Sequence, residues 1–191
     1  MGSVADQIEQ EEKAGFTEVI VGRLFQSGRP VPREIVEARE VNAIVSVSGG
    51  EQPWIEDWME AGGDSLKPGR PQQRIRAQVP LIDASNWLDE AAADAAIRLV
   101  LRLLYGDDTR RVLVHCDAGA FRSVHVAACV LAEMQAVPAP LALAEIDKGR
   151  GRTPPRNSLG LPGWNEHLLT WGPADPPTPD PPAVDDGRAD G

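Results

Sequence analysis

Few folds accommodate the stretch Val112–Leu131, VLVHCDAGAFRSVHVAACVL. A short apolar run meets a tight loop holding one glycine, Gly119, and the loop passes directly into a longer apolar run. Length assigns the first run to a buried strand and the second, Arg122–Gln135, to a helix. The remaining chain repeats this alternation. Glu18–Phe25 reads as a strand, followed by a turn at Gln26-Ser27-Gly28. Pro32 opens a short helix through Ala38, and Ala43–Val47 is a short apolar strand. Residues 48–73 are rich in Gly and Pro and read as a long connection with one helical turn at Trp54–Glu60. Arg74–Val79 alternates like a strand. Asn86 caps a helix from Trp87 to Tyr105 with a polar stripe at Glu90, Asp94, Arg98 and Arg102, leaving Leu99 and Leu103 facing inward. A helix opened by Pro138 or Pro140 runs through Lys148, and Leu161–Trp171 closes the body. Strands alternating with helices predict an α/β fold, a central, mainly parallel sheet flanked by helices.

Composition bounds the rest. The 191 residues carry 29 acidic and 19 basic side chains, a formal charge of −10. Residues 173–191, PADPPTPDPPAVDDGRADG, hold five aspartates against Arg188 and so account for −4 of that charge. Such a segment has almost nothing to bury and is expected to be a disordered Pro/Asp-rich tail. Residues 1–16 read as an acidic extension and 17–172 as the folded domain. The acidic balance disfavours nucleic acid and anionic membrane as partners. No apolar run reaches the length of a membrane helix. The N-terminal residues MGSVADQIEQEEK lack the apolar core of a secretory signal. Two cysteines, Cys116 and Cys129, make no disulfide framework, so a cytoplasmic, monomeric protein is expected.

The loop after Val112–His115 carries the chemistry. At a strand-to-helix junction, the backbone N–H groups of Asp117, Ala118, Gly119, Ala120 and Phe121 can converge on one point at the positive end of a helix, an anion site of phosphate size. Cys116, at the loop's start, would have its thiolate stabilised by the same donors. Arg122 can grip two phosphate oxygens with its planar fork.

The run His115-Cys116-Asp117-Ala118-Gly119-Ala120-Phe121-Arg122-Ser123 resembles the signature His-Cys-x-x-Gly-x-x-Arg-Ser/Thr of the cysteine-dependent protein phosphatases and matches every fixed position. Leu24-Phe25-Gln26-Ser27-Gly28-Arg29-Pro30 is similar to the N-terminal leucine-x-x-serine-glycine turn of their dual-specificity branch, and Leu141–Asn157 to the helix and stretch after the catalytic loop. The resemblance spans roughly residues 17–171 and breaks at Gly49–Gln73. It implies a phosphate-monoester hydrolase acting on phosphotyrosine and phosphoserine or phosphothreonine of proteins, through a cysteinyl-phosphate intermediate and without metal or cofactor. Cys116 would be the nucleophile, residues 117–121 with Arg122 the substrate-binding ring, and Ser123 the hydrogen-bond partner of the sulfur. His115 would orient the loop. Asp83, 33 residues before the cysteine in a loop feeding a helix, would be the general acid, with Asp89 in reserve but better suited to the helix's first turn.

Plainer readings stand beside these. Cys129 reads as a core residue. His125 and His167 lack metal-ligand partners at useful spacing and read as structural or surface. Asp117 reads as pointing to solvent, and Lys148, Arg150, Arg152 and Arg156 as a solvated basic loop, with a rim that receives anionic flanks of the substrate as the functional alternative. Trp87 either lines the entrance or begins a helix. Two other functions stay open: hydrolysis of a non-protein phosphate ester (a phosphoinositide, a nucleotide or an RNA 5′ end), and a catalytically silent phosphate-binding module. The loop holds no Lys, which weighs against inositol phosphates.

Overall fold

The computed structural model describes residues 15–63, 73–82, 88–150 and 162–171. Five strands, β1 (Thr17–Ile20), β2 (Leu24–Ser27), β3 (Ala43–Ser46), β4 (Ile75–Gln78) and β5 (Val112–His115), form one sheet in the order β1-β2-β5-β3-β4. Only β1 runs antiparallel to its neighbour; β2, β5, β3 and β4 are parallel. The helices are α1 (Arg33–Ala38), α2 (Ile55–Gly63), α3 (Glu90–Gly106), α4 (Arg122–Gln135), α5 (Ala139–Gly149) and α6 (Pro162–Thr170). The α/β expectation holds, with helices on both faces of the sheet.

The central strands show why the layers form. In β5, Val112 and Val114 join one core with α3, α4, α5 and α6, while Leu113 joins a second core with Phe25, Ile35, Val36, Ile44 and Trp58. The same period of two sends Ala43 and Val45 of β3 to the first core and Ile44 to the second. Strands covered on both faces read as continuous apolar runs, which is how AIVSV and RVLVH appear in the sequence. Edge strand β4 buries one face only, with Arg76 and Gln78 exposed.

Several local expectations are corrected. Glu18–Phe25 is two strands, because Gly22, at φ +65°, turns the chain back on itself and Arg23 N–H bonds the Ile20 carbonyl. Gln26 and Ser27 belong to β2 rather than to a turn. Phe16 stacks on Phe25 at 5.3 Å and is buried, so the domain begins before residue 17. The single turn at Trp54–Glu60 is the nine-residue α2. The long helix starts at Glu90, with Asp89 as its cap accepting the Ala92 N–H at 3.1 Å. Its inward stripe is Ala93, Ala96, Ile97, Val100 and Leu104; Leu99 and Leu103 are partly buried at the margin. The Asn86 cap, Trp87, Arg152, Arg156 and the tail 173–191 lie outside the described residues. Among the described residues no single helix is long and apolar enough to cross a membrane.

Candidate active site

Register places the site. Ser27 of β2 and Ser46 of β3 both pair with His115, the last residue of β5. The loop after β5 therefore leaves the middle of the sheet's carboxyl edge, between two parallel neighbours, where open α/β sheets bind ligands. Cys116–Phe121 forms this loop and α4 starts at Arg122. No side chain caps the first turn of α4, so its amide groups are left for a ligand or solvent.

Two glycines set the loop's shape. Gly119 has φ +63°, and a Cβ there would stand 2.4 Å from the Gly28 nitrogen. Gly28 in turn faces the Ala118 carbonyl carbon at 3.0 Å from its own would-be Cβ. The turn after β2 thus rests directly on the loop. From that turn Arg29 N–H donates to the Asp117 carbonyl at 3.0 Å. Gln26 Nε2 donates to the Gly119 carbonyl at 3.1 Å, and Arg150 donates to the same oxygen at 2.5 Å. In a trans peptide the N–H opposes the C=O. Holding the Asp117 and Gly119 carbonyls outward turns the N–H groups of Ala118 and Ala120 to the other side of the loop.

The Cys116 sulfur is buried and accepts the Gly119 N–H at 3.2 Å. Ser123 Oγ lies 3.2 Å from the same sulfur and 3.1 Å from the Ser27 carbonyl, while Gln26 Nε2 donates to it at 2.9 Å. The hydroxyl has one proton to give. With Gln26 filling an acceptor site, that proton goes either to Ser27 or to sulfur, and a negatively charged sulfur is the stronger acceptor.

Arg122 is buried, donating from Nη1 to the Leu81 carbonyl at 3.3 Å and from Nη2 to Asp117 Oδ2 at 2.7 Å. Asp117 Oδ1 accepts from Arg29 Nε at 2.6 Å. Asp117 therefore bridges two arginines at the rim instead of pointing to solvent. Burial pushes its carboxyl up, but the bonds and charges of Arg29 and Arg122 outweigh this and hold it below the usual carboxylate range. Burial lowers His115 to about 4, reinforced by the Arg29 charge, so its imidazole is neutral at pH 7.

The structure thus brings Cys116, Asp117, Gly119, Arg122 and Ser123 together. Asp83 lies outside the described residues; Leu81, two positions before it, offers its carbonyl to Arg122. Asp89 is committed to capping α3. Gln26 and Arg29 were not singled out at the site, and Arg150 was read only as part of a basic loop or rim. A glutamine directly after the apolar pair Leu24-Phe25 of β2 was the available signal for Gln26. Arg150 is bound to the loop rather than solvated, while Lys148 is exposed. His125, Cys129 and His167, read as unconnected, are buried side by side.

No protein-family model matches the chain, and no curated protein matches it. Solved structures do. Human DUSP28 superposes with a TM-score of 0.58 at 19% identity, over 82% of this chain and 92% of that one. The core catalytic domain of the PP-IP phosphatase SIW14 from S. cerevisiae, in complex with citrate, gives 0.57 at 16% identity, over 82% and 85%. PTPMT1 in complex with PI(5)P gives 0.55 at 16%, over 80% and 94%. With a five-stranded sheet between helices and the Cys116–Ser123 loop at its carboxyl edge, the chain has the fold of the dual-specificity cysteine phosphatases.

Proposed function

We propose that this protein hydrolyses phosphate monoesters through a cysteinyl-phosphate intermediate, with phosphotyrosine and phosphoserine or phosphothreonine of proteins as substrates. The observation that carries the reading is the environment of one sulfur. Cys116 Sγ accepts the Gly119 N–H and lies 3.2 Å from the Ser123 hydroxyl, just before the uncapped start of α4, whose first residue Arg122 is held at the loop by Asp117.

In this reading each group takes one role. The Cys116 thiolate attacks phosphorus, forming an S–P bond as the P–O bond to the leaving group breaks. Loop N–H groups and Arg122 hold the three equatorial oxygens through the transition state, where positioning and charge stabilisation supply most of the catalysis. Asp83 donates its proton to the leaving oxygen and then accepts one from the water that hydrolyses the S–P bond. Ser123 turns its proton from the Ser27 carbonyl to sulfur as the thiolate is released. Asp117 keeps Arg122 and Arg29 in place while the site is empty.

Two of the structural neighbours, a PP-IP phosphatase and PTPMT1 with bound PI(5)P, concern non-protein phosphates. They support a second reading, a non-protein phosphate ester as substrate. Against it, the loop carries no lysine and places the Asp117 carboxylate at its rim, where it repels a polyanionic ligand. The test is a panel of phosphopeptides, phosphoinositides and nucleotides against the wild type and Cys116→Ser. Phosphopeptides should give the highest kcat/KM, and Cys116→Ser should turn over none. Faster turnover of phosphoinositides or nucleotides would select the second reading. No turnover of any substrate would leave a phosphate-binding module.

A further inference from the structure

A second cluster of chemically capable side chains joins α4 to α6, apart from the residues of the candidate active site. His125 and Cys129 are four residues apart and so share one face of that helix. His167 reaches them from α6. Their Nε2, Sγ and Nδ1 atoms all lie within 4.8 Å of one another, and all three residues are buried. His125 Nε2 is 3.0 Å from His167 Nδ1, and Cys129 Sγ is 3.9 Å from His125 Nε2. Tetrahedral zinc, with bonds of about 2.0–2.1 Å to nitrogen and about 2.3 Å to sulfur, sets its ligand atoms roughly 3.3–3.6 Å apart. The cluster brackets that spacing.

We propose that His125, Cys129 and His167 bind a divalent transition-metal ion, zinc by ligand type, which clamps α6 onto α4. Nitrogen and thiolate donors select zinc over magnesium or calcium, which take oxygen. The outer nitrogen of His167 meets Asp94 Oδ1 of α3 at 3.1 Å, the carboxylate–histidine arrangement that fixes a ligand's tautomer and raises its basicity. Charge also closes: a dication, one thiolate and one carboxylate sum to zero in an apolar setting. Trp164 meets the His125 ring edge-on at 5.0 Å and Trp171 stacks on His167 at 5.4 Å, shielding the cluster from water. Burial keeps the His125 ring neutral, as a ligand must be. The same burial, with Asp94 nearby, disfavours the Cys129 thiolate until a cation arrives, so binding releases the thiol proton. Three protein ligands leave the fourth position for a water.

The test uses the full chain. Protein purified with zinc should retain about one zinc per chain after gel filtration. Cobalt in place of zinc should give a thiolate-to-metal charge-transfer band. Free zinc about 100-fold above Kd should raise the melting temperature by roughly 5–10 °C. Cys129→Ala and His167→Gln should each lose the band and the zinc-dependent shift, and Cys116→Ser should keep both. Metal that survives in Cys129→Ala but vanishes in Cys116→Ser would assign the ion to the catalytic thiol and overturn the proposal. Absence of both metal and band in the wild type would overturn it too, leaving His125, His167 and Asp94 as a hydrogen-bonded chain only.

Discussion

Cys116 and Cys129 occur 13 residues apart on one strand–loop–helix stretch, and both are buried. Burial is all they share. Cys116 stands before the first turn of α4, facing a backbone N–H, a hydroxyl and the start of the helix. Cys129 stands two turns into the same helix, its sulfur 3.9 Å from the His125 Nε2. The first setting offers hydrogen-bond donors, which stabilise an anion and hold an oxyanion against it. The second offers lone pairs, which stabilise nothing anionic without a cation between them. Two buried cysteines thus meet different neighbours: an N–H and a hydroxyl at Cys116, an imidazole nitrogen beside Cys129.

That contrast can be broken or sharpened from several sides. Chemistry at the Cys116 end should depend on a proton donor. Asp83→Ala should slow hydrolysis of poor leaving groups by about 10²–10⁴-fold and spare activated aryl phosphates. Asp89→Ala should instead cost about 1 kcal/mol of stability by removing the α3 cap, with no change in leaving-group dependence. Rates on aryl phosphates of graded leaving-group pKa separate the two; a steepened series for Asp89→Ala alone would move the acid there. Arg122→Lys should lower kcat/KM by about 10²–10³-fold, nearly as much as Arg122→Ala, because a point charge cannot replace a fork that spans Asp117 and two phosphate oxygens. Near-normal kcat/KM in the lysine variant would remove Arg122 from the oxyanion ring.

A pH experiment reads both ends at once. Burial lowers His115 to about 4 and His125 to about 3, so both are neutral in the fold while the unfolded chain protonates near 6.5. Between pH 6.5 and 4 the unfolded state binds more protons, and stability must rise with pH there. Acidification through that window should remove on the order of 3 kcal/mol or more, measured by urea unfolding at pH 7, 6 and 5. His115→Asn should flatten the slope by about one proton. A stability independent of pH across the window would show that the rings are hydrated. A further effect concerns loop shape. Gly119→Ala should cost about 2 kcal/mol or more, since φ +63° and the contact with the Gly28 nitrogen both oppose a Cβ. Gly28→Ala, with its contacts at 3.0–3.2 Å, should cost less.

How much of this was legible beforehand follows the same division. The sheet and the α4 helix were readable because central strands are apolar on both faces and Arg122–Gln135 is apolar nearly throughout. The catalytic loop was readable because its residues are contiguous, so spacing in sequence is spacing in space. Gln26, Arg29 and Arg150 escaped because they reach the loop from β2, the turn after it and the end of α5, and only tertiary packing joins them. The His125–Cys129–His167 cluster escaped for the same reason: 42 residues separate its histidines. The split of Glu18–Phe25 into two strands turned on a single glycine at positive φ, a conformation that composition does not announce.

The central claim is that Cys116, and not another nucleophile or a bound water, attacks phosphorus. It is tested most directly by quenching the wild-type protein in acid during turnover of an aryl phosphate and mapping covalent phosphate by mass spectrometry. The account predicts one phosphoryl group on the peptide carrying Cys116, and its absence from Cys116→Ser under the same conditions. Steady turnover with no phosphorylated Cys116, or with phosphate on any other side chain, would contradict it.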